Sequence, residues 1–79
     1  MISIEVIQYL KPEIRDPEGA EIQKTLGRLG YPIDGVSIGR KIRMEVATEV
    51  VDEAISIVDD ACQRFLVNPI IHDYTVSVV

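Results

Sequence analysis

The sequence is poor in the residues from which reactive and metal-binding sites are built. It has one cysteine, Cys62, one histidine, His72, and no tryptophan. A lone cysteine forms no internal disulfide and gives no structural zinc site, so Cys62 is expected to pack as a small apolar side chain. The sequence also has no Walker loop, no G-x-G-x-x-G and no G-x-S-x-G. We therefore predict no catalytic residue, no metal and no bound cofactor on this chain.

Basic charge and long hydrophobic runs are also scarce. Eight Lys and Arg residues stand against 13 Asp and Glu, a formal net charge of −5. Such a chain repels phosphate backbones, so nucleic acid is not an expected partner. The longest run without a charged residue or histidine, 65–71, has seven residues, and the N-terminus does not resemble a signal peptide. A cytoplasmic protein with no membrane partner is expected.

The length sets the size of the core. With 79 residues, of which 47% are hydrophobic, the chain is expected to fold as a single domain over 1–79. A domain this small buries little surface on its own. Because no disulfide or metal is available to stabilise it, self-association as a dimer or larger assembly is expected.

The first half of the chain predicts a strand and a helix. Apolar residues alternate over 2–10, which is typical of a half-buried strand and places Ile7 and Tyr9 on the opposite face. Asp16 then provides an N-cap, Pro17 the first helical position and Gly30 the stop.

The middle of the chain allows two interpretations. Apolar residues of one parity lie on both sides of Gly39 within 35–47. We favour a hairpin whose three-residue loop is Gly39, Arg40 and Lys41, because it keeps the apolar set on one face. One long strand bent at Gly39 is the alternative.

The second half predicts another helix and a final strand. Thr48 is the candidate N-cap, and Asn68-Pro69 ends the helix. The strand then runs over 70–79. The predicted apolar stripe of this helix consists of Val51, Ile55, Val58, Cys62 and Phe65.

These elements follow the order β-α-β-β-α-β. The order predicts an α+β fold, a two-layer sandwich in which two helices cover one face of a mainly antiparallel sheet. Dimerisation is expected to extend the sheet or cover what remains exposed.

Two features of the sequence are candidate sites. Arg40, Lys41 and Arg43 form the densest basic cluster, which is either an ordinary charged turn or a contact for an acidic partner or a phosphate. His72 has no identifiable orienting partner or nucleophile, so we assign it no catalytic role.

Three segments together resemble one known family. They are Asp16-Pro17-Glu18-Gly19, Ile38-Gly39-Arg40-Lys41 and the segment from Leu66 to Tyr74, which reads LVNPIIHDY. In this order, in a chain of this length, they are similar to the PurS family, and the likeness covers essentially the whole chain. PurS is the small subunit of phosphoribosylformylglycinamidine (FGAM) synthase.

The resemblance implies an accessory, non-catalytic subunit of an ATP-dependent glutamine amidotransferase ligase in purine biosynthesis. Its partners would be the synthetase subunit PurL and the glutaminase subunit PurQ. This chain would bridge them and support ammonia transfer, while PurL would use the ATP and magnesium. A stand-alone ferredoxin-like regulatory module that binds a small effector at a dimer interface is the alternative.

The resemblance also assigns positions. Gly39 and Arg40 fall where the family usually has Gly-Lys, and Gly39, Arg40 and Lys41 are the candidate partner contacts. His72 stands where the family usually has glutamate. The other matched positions are expected to act in capping and turns: Asp16, Pro17, Gly19, Asn68, Pro69, Asp73 and Tyr74.

Overall fold

The computed structural model describes all residues, 1–79. Strand β1 spans Ile2–Leu10, helix α1 Pro17–Arg28, strand β2 Gly39–Val46, helix α2 Val51–Ala61 and strand β3 His72–Val78. A π-helical segment, Cys62–Leu66, continues directly from α2. The three strands form one antiparallel sheet in the order β2-β1-β3. The predicted α+β class, with a mainly antiparallel sheet and two helices, is confirmed.

The predicted hairpin around Gly39 is wrong. Residues 31–38 form no strand, and β2 begins at Gly39, so the order is β-α-β-α-β. The alternative, one long strand bent at Gly39, is not formed either. The reason lies in Asp16, because its Oδ2 accepts a 2.8 Å hydrogen bond from the backbone N–H of Ile38. That bond holds the segment before β2 against the N-terminus of α1.

The core lies between the sheet and α2. Even-numbered residues of β1 face α2, and Ile4 and Val6 are fully buried there. A single small cluster results, consisting of Ile4, Val6, Ala54, Val58, Cys62 and Val67. The prediction that Cys62 packs as an apolar side chain is confirmed.

The π-helical segment changes which side chains of the second helix point inward. Each π turn holds about one residue more than an α turn, so the apolar stripe shifts in phase after Cys62. Phe65, predicted to lie in the stripe, is 86% exposed, whereas Val67 is buried. The start of the helix also differs from the prediction. Val50 is the N-cap residue, and Thr48 Oγ1 instead accepts a 3.2 Å hydrogen bond from the Val50 N–H.

Helix α1 begins and ends as predicted but does not pack on the sheet. Asp16 caps it, and Gly30 follows it with a φ of 91°, a left-handed conformation that favours glycine. None of its side chains joins the core cluster. In the single chain, α2 alone covers the sheet. No helix in the fold combines the length and apolar character needed to cross a bilayer.

Candidate functional site

The predicted contact residues lie at the start of β2, beside the end of β1. Gly39 pairs with Tyr9, Arg40 with Gln8, and Lys41 with Ile7. Because side chains alternate along a strand, Arg40 lies on the face that carries α2 and Lys41 on the opposite face. Arg43 shares the face of Lys41. The structure therefore places Arg40 on the other face from Lys41 and Arg43, the remaining cations of the cluster that the sequence suggested.

The three contact residues differ in what they touch. Lys41 Nζ pairs with Glu5 Oε1 at 2.9 Å. Gly39 sits so close to β1 that a Cβ there would lie 2.9 Å from the backbone oxygen of Gln8. Arg40 forms neither an ion pair nor a side-chain hydrogen bond within the chain, so its guanidinium is free to bind an anionic group.

A cleft of about 470 Å³ opens beside Arg40. It lies between the paired ends of β1 and β2 and the π-helical segment. Its walls carry a cation, amides and apolar side chains, among them Gln8, Arg40, Phe65, Leu66, Asn68 and His72. Its size is within the range of binding sites, and its mixed lining suits a ligand with both polar and apolar parts.

Gln8 and His72 form the polar floor of this region. Nδ1 of His72 accepts a 3.2 Å hydrogen bond from the Asn68 N–H, which places the ring proton on Nε2. The same Nδ1 then accepts a second 3.2 Å bond from Nε2 of Gln8. Gln8 is only 6% exposed, yet its Oε1 has no hydrogen-bond partner. His72 therefore has a structural role, and Gln8 retains an unused acceptor.

Sequence reasoning missed Gln8. A signal was present, because Gln8 interrupts a parity otherwise filled by Ile2, Ile4 and Val6. A polar residue at a core-facing position of a strand needs a hydrogen-bond partner when it is buried. What the sequence could not give was the neighbour across the sheet.

The first family-matched segment fixes the segment between α1 and β2. Oδ1 of Asp16 accepts a 2.8 Å bond from the Gly19 N–H, while Oδ2 accepts from Ile38. These bonds hold the pKa of Asp16 below its ordinary value. A side chain at Gly19 would collide with the backbone oxygen of Val36. The matched residues here thus position the approach to Gly39.

The last family-matched segment forms a turn and ties β3 to its surroundings. Oδ1 of Asn68 accepts a 3.0 Å bond from the Ile70 N–H, in the turn that Pro69 occupies. Asp73 pairs with Lys11 at 3.5 Å. The hydroxyl of Tyr74 donates a 2.6 Å bond to Asp59 Oδ1. Asn68 thus lies in a turn, whereas Asp73 and Tyr74 contact Lys11 and Asp59 instead of forming a cap or a turn.

Two groups near Asp59 have raised pKa values. The hydrogen bond to Asp59 raises the pKa of the Tyr74 hydroxyl, with a smaller contribution from desolvation. Burial, followed by the negative charge of Asp59, raises the pKa of the Cys62 thiol. A thiol kept protonated is a poor nucleophile and a poor metal ligand. No group of three or more His, Cys, Asp and Glu side chains is placed to hold a metal ion.

A second surface without an internal partner lies on α1 and the turn after it. Its apolar side chains remain partly or mostly exposed: Ile22 at 38%, Leu29 at 68% and Tyr31 at 56%. Polar contacts hold the helix to the following segment, including a 2.7 Å hydrogen bond from Gln23 Nε2 to the backbone oxygen of Asp34. We call Ile22, Leu26, Leu29 and Tyr31 the α1 stripe.

Comparison with known proteins gives a consistent result over the whole chain. The family model for PurS, described as phosphoribosylformylglycinamidine (FGAM) synthase, matches residues 3–79. The PurS subunit of Thermotoga maritima is 37% identical over 71 residues, which cover 89% of this chain and 85% of that protein. The PurS subunit of Methanothermobacter thermautotrophicus is 36% identical over 75 residues, covering 95% and 89%.

Solved structures show the same relationship. The crystal structure of the Thermotoga maritima PurS subunit superimposes with a TM-score of 0.91 at 30% identity, covering 99% of this chain and 91% of that one. A chain in the structure of PurLQS from the same organism gives a TM-score of 0.90 at 30% identity, covering 99% and 96%. In sequence and in fold, the chain belongs to the PurS family of FGAM synthase subunits.

Proposed function

We propose that this chain, an accessory subunit of FGAM synthase by its family, bridges the synthetase PurL and the glutaminase PurQ and supports ammonia transfer between them. The observation that carries the proposal is the likeness, over 99% of the chain, to a chain in the Thermotoga maritima PurLQS structure. The assembled enzyme converts formylglycinamide ribonucleotide, glutamine and ATP to formylglycinamidine ribonucleotide, glutamate, ADP and phosphate, and it acts in the cytoplasm.

The chemistry of the chain supports a positioning role. Its one thiol is buried with a raised pKa, and its one histidine accepts two hydrogen bonds that hold a turn. Neither group is placed to attack a substrate or to move a proton. Its contribution to the reaction is therefore to hold two active sites in one assembly. PurL supplies the binding sites for ATP and magnesium.

Gly39, Arg40 and Lys41 form the partner contact in this proposal, and Arg40 is its anchor. Arg40 presents a free guanidinium at the mouth of the cleft, where it can bind a carboxylate in two-point geometry. Gly39 lets β2 approach β1 closely enough to place it there. Lys41 faces the other side of the sheet and already pairs with Glu5, so it contributes less to the contact.

Assembly measurements test the bridging role. Sedimentation velocity of PurL mixed with PurQ is compared with and without this chain, each at micromolar concentration. We expect one species containing all three subunits only when the chain is present. Arg40→Glu combined with Lys41→Glu is expected to weaken that species while circular dichroism shows an intact fold. PurL and PurQ sedimenting identically with and without the chain would contradict the proposal.

We further propose that the chain forms a homodimer through the α1 stripe. A folded monomer of 8.8 kDa is expected to expose about 4,800 Å². The chain exposes 5721 Å², an excess close to the roughly 800 Å² that each partner buries in a standard interface. The shape points the same way, since the radius of gyration is 16.0 Å against about 12 Å for a compact domain of this length.

A further inference from the structure

The unpaired Oε1 of Gln8 is a feature that folding does not explain. The neighbouring residues of the same face, Ile4 and Val6, are apolar and fully buried. A buried acceptor without a partner destabilises the fold relative to one that is paired. A methionine of similar length would fill the position without that cost. The glutamine is therefore suited to a state in which its oxygen gains a donor.

The cleft places this acceptor near complementary groups. Gln8 and Arg40 are directly paired across the ladder, so their side chains emerge on the same face about 5 Å apart. Phe65, 86% exposed, and Leu66 supply an apolar wall. One side of the cleft thus presents a cation, with the shielded oxygen of Gln8 next to it, and the other presents an aromatic surface.

We propose that this cleft receives an acidic segment of a partner subunit of the complex, an inference that rests on the proposed function. A carboxylate of that segment binds Arg40, a neighbouring N–H donates to Oε1 of Gln8, and an apolar side chain covers Phe65. Oε1 is shielded from water in the isolated chain, so the donor reaches it after a rotamer change along the cleft, a common adjustment at interfaces. The free guanidinium of Arg40 requires an occupant with a negative charge. The unpaired oxygen of Gln8 requires one with a hydrogen-bond donor.

Two substitutions test the contact, with Arg43→Gln as a matched control on the opposite face of β2. Gln8→Met removes the acceptor, and Arg40→Gln removes the cation. The measurement is the dissociation constant between each form of the chain and the mixture of PurL and PurQ, by biolayer interferometry. Each substitution is expected to weaken binding about tenfold, and Arg43→Gln by less than about twofold.

A melting curve of each isolated variant separates this role from a structural one. Gln8→Met loses the bond to His72 but also loses the unpaired oxygen, so its melting temperature is expected to stay within a few degrees of the original. A stable Gln8→Met chain that binds poorly supports the proposal. Arg40→Gln alters an exposed side chain without internal partners and provides the same test if Gln8→Met does not fold.

Four results would overturn the proposal. If the original chain binds and both variants bind equally well, the cleft is not the contact and the bridging function stands. If no form binds PurL and PurQ, the proposed function itself fails. If the variants weaken self-association instead, the occupant is a second copy. If glutamine or inorganic phosphate binds the isolated chain and competes with the partners, the cleft is a small-molecule site.

Discussion

At the scale of single residues, two polar side chains join segments that are distant in sequence. Asp16 accepts hydrogen bonds from Gly19 and from Ile38, 22 residues away. Tyr74 reaches Asp59, 15 residues away, and so fastens β3 to α2. Because the core cluster has only six residues, such hydrogen bonds contribute a larger share of the stability than they would in a larger domain.

The hydrogen bonds at Asp16 give the stability of the fold a dependence on acidic pH. Its folded pKa lies below the ordinary value of 3.8, so its contribution is fully present above that pH. The contribution is lost as pH falls through the lower, folded pKa. Asp16→Asn is expected to unfold more easily at pH 7, because its amide nitrogen cannot accept from Ile38.

Urea unfolding at several pH values between 2 and 7 measures the effect. The free energy of unfolding of Asp16→Asn is expected to fall less steeply with acid than that of the original chain. Asp34→Asn, on the exposed turn, serves as the control and should retain the original slope. An unchanged slope for Asp16→Asn would show that these bonds do not stabilise the fold.

The bond from Tyr74 to Asp59 is tested by removing one oxygen. Tyr74→Phe is expected to lower the free energy of unfolding by about 1 kcal/mol, the net value of a hydrogen bond at a partly exposed site. Urea titration at pH 7 gives the value. Tyr9→Phe, at an exposed tyrosine whose hydroxyl makes no hydrogen bond within the chain, should change it little. Equal losses for the two variants would contradict this account.

At the scale of elements, sequence patterns predicted what depends on local chemistry. The Asp16 cap, the proline at the start of α1 and the alternation of β1 were predicted from residue types alone. The hairpin at Gly39 failed because the N–H of Ile38 binds Asp16, a contact made in three dimensions. The exposure of Phe65 was missed because no sequence rule places a π-helical turn.

In the candidate site, too, local sequence predicted some features and contacts in three dimensions determined the others. Gly39, Arg40 and Lys41 were predicted as neighbours, yet the pleat of β2 sends Arg40 and Lys41 to opposite faces. Gln8 could have been noticed as a polar interruption, but its unpaired oxygen depends on which groups surround it. Pairing across the sheet brings Gln8 beside Arg40, 32 positions apart in the chain.

Two glycines of α1 make a matched test of this element. A Cβ at Gly27 meets nothing within 4 Å, whereas one at Gly19 meets the Val36 oxygen and the Asp16 carboxylate. Gly27→Ala is expected to raise the free energy of unfolding by about 0.5 kcal/mol, since alanine favours helix. Gly19→Ala is expected to lower it. Thermal melts of both variants give the signs, and a stabilising Gly19→Ala would contradict the described packing.

At the scale of the whole molecule, the chain is extended, measuring 50 × 24 × 13 Å. Helix α1 leaves its apolar stripe uncovered, and the edges of β2 and β3 carry no further strand. An extended monomer with an excess of exposed surface is expected to reach its stable form by association.

Introducing negative charge into the α1 stripe tests whether the chain associates with itself through that surface. Ile22→Glu combined with Leu29→Glu is expected to weaken the dimer at least tenfold, because two carboxylates would be buried without partners. Sedimentation equilibrium over a range of concentrations measures the dissociation constant. Ala20→Glu, at an exposed position on the opposite face of the same helix, should leave it nearly unchanged. A dimer insensitive to the stripe would place the interface elsewhere.

The proposed function requires that this chain couple the glutaminase to the synthetase. The most direct measurement is formylglycinamidine ribonucleotide formation by PurL and PurQ, with and without the chain, using either glutamine or ammonium as the nitrogen donor. We predict that omitting the chain abolishes the glutamine-dependent reaction and spares the ammonium-dependent one. Equal rates with and without the chain, for both donors, would contradict the account.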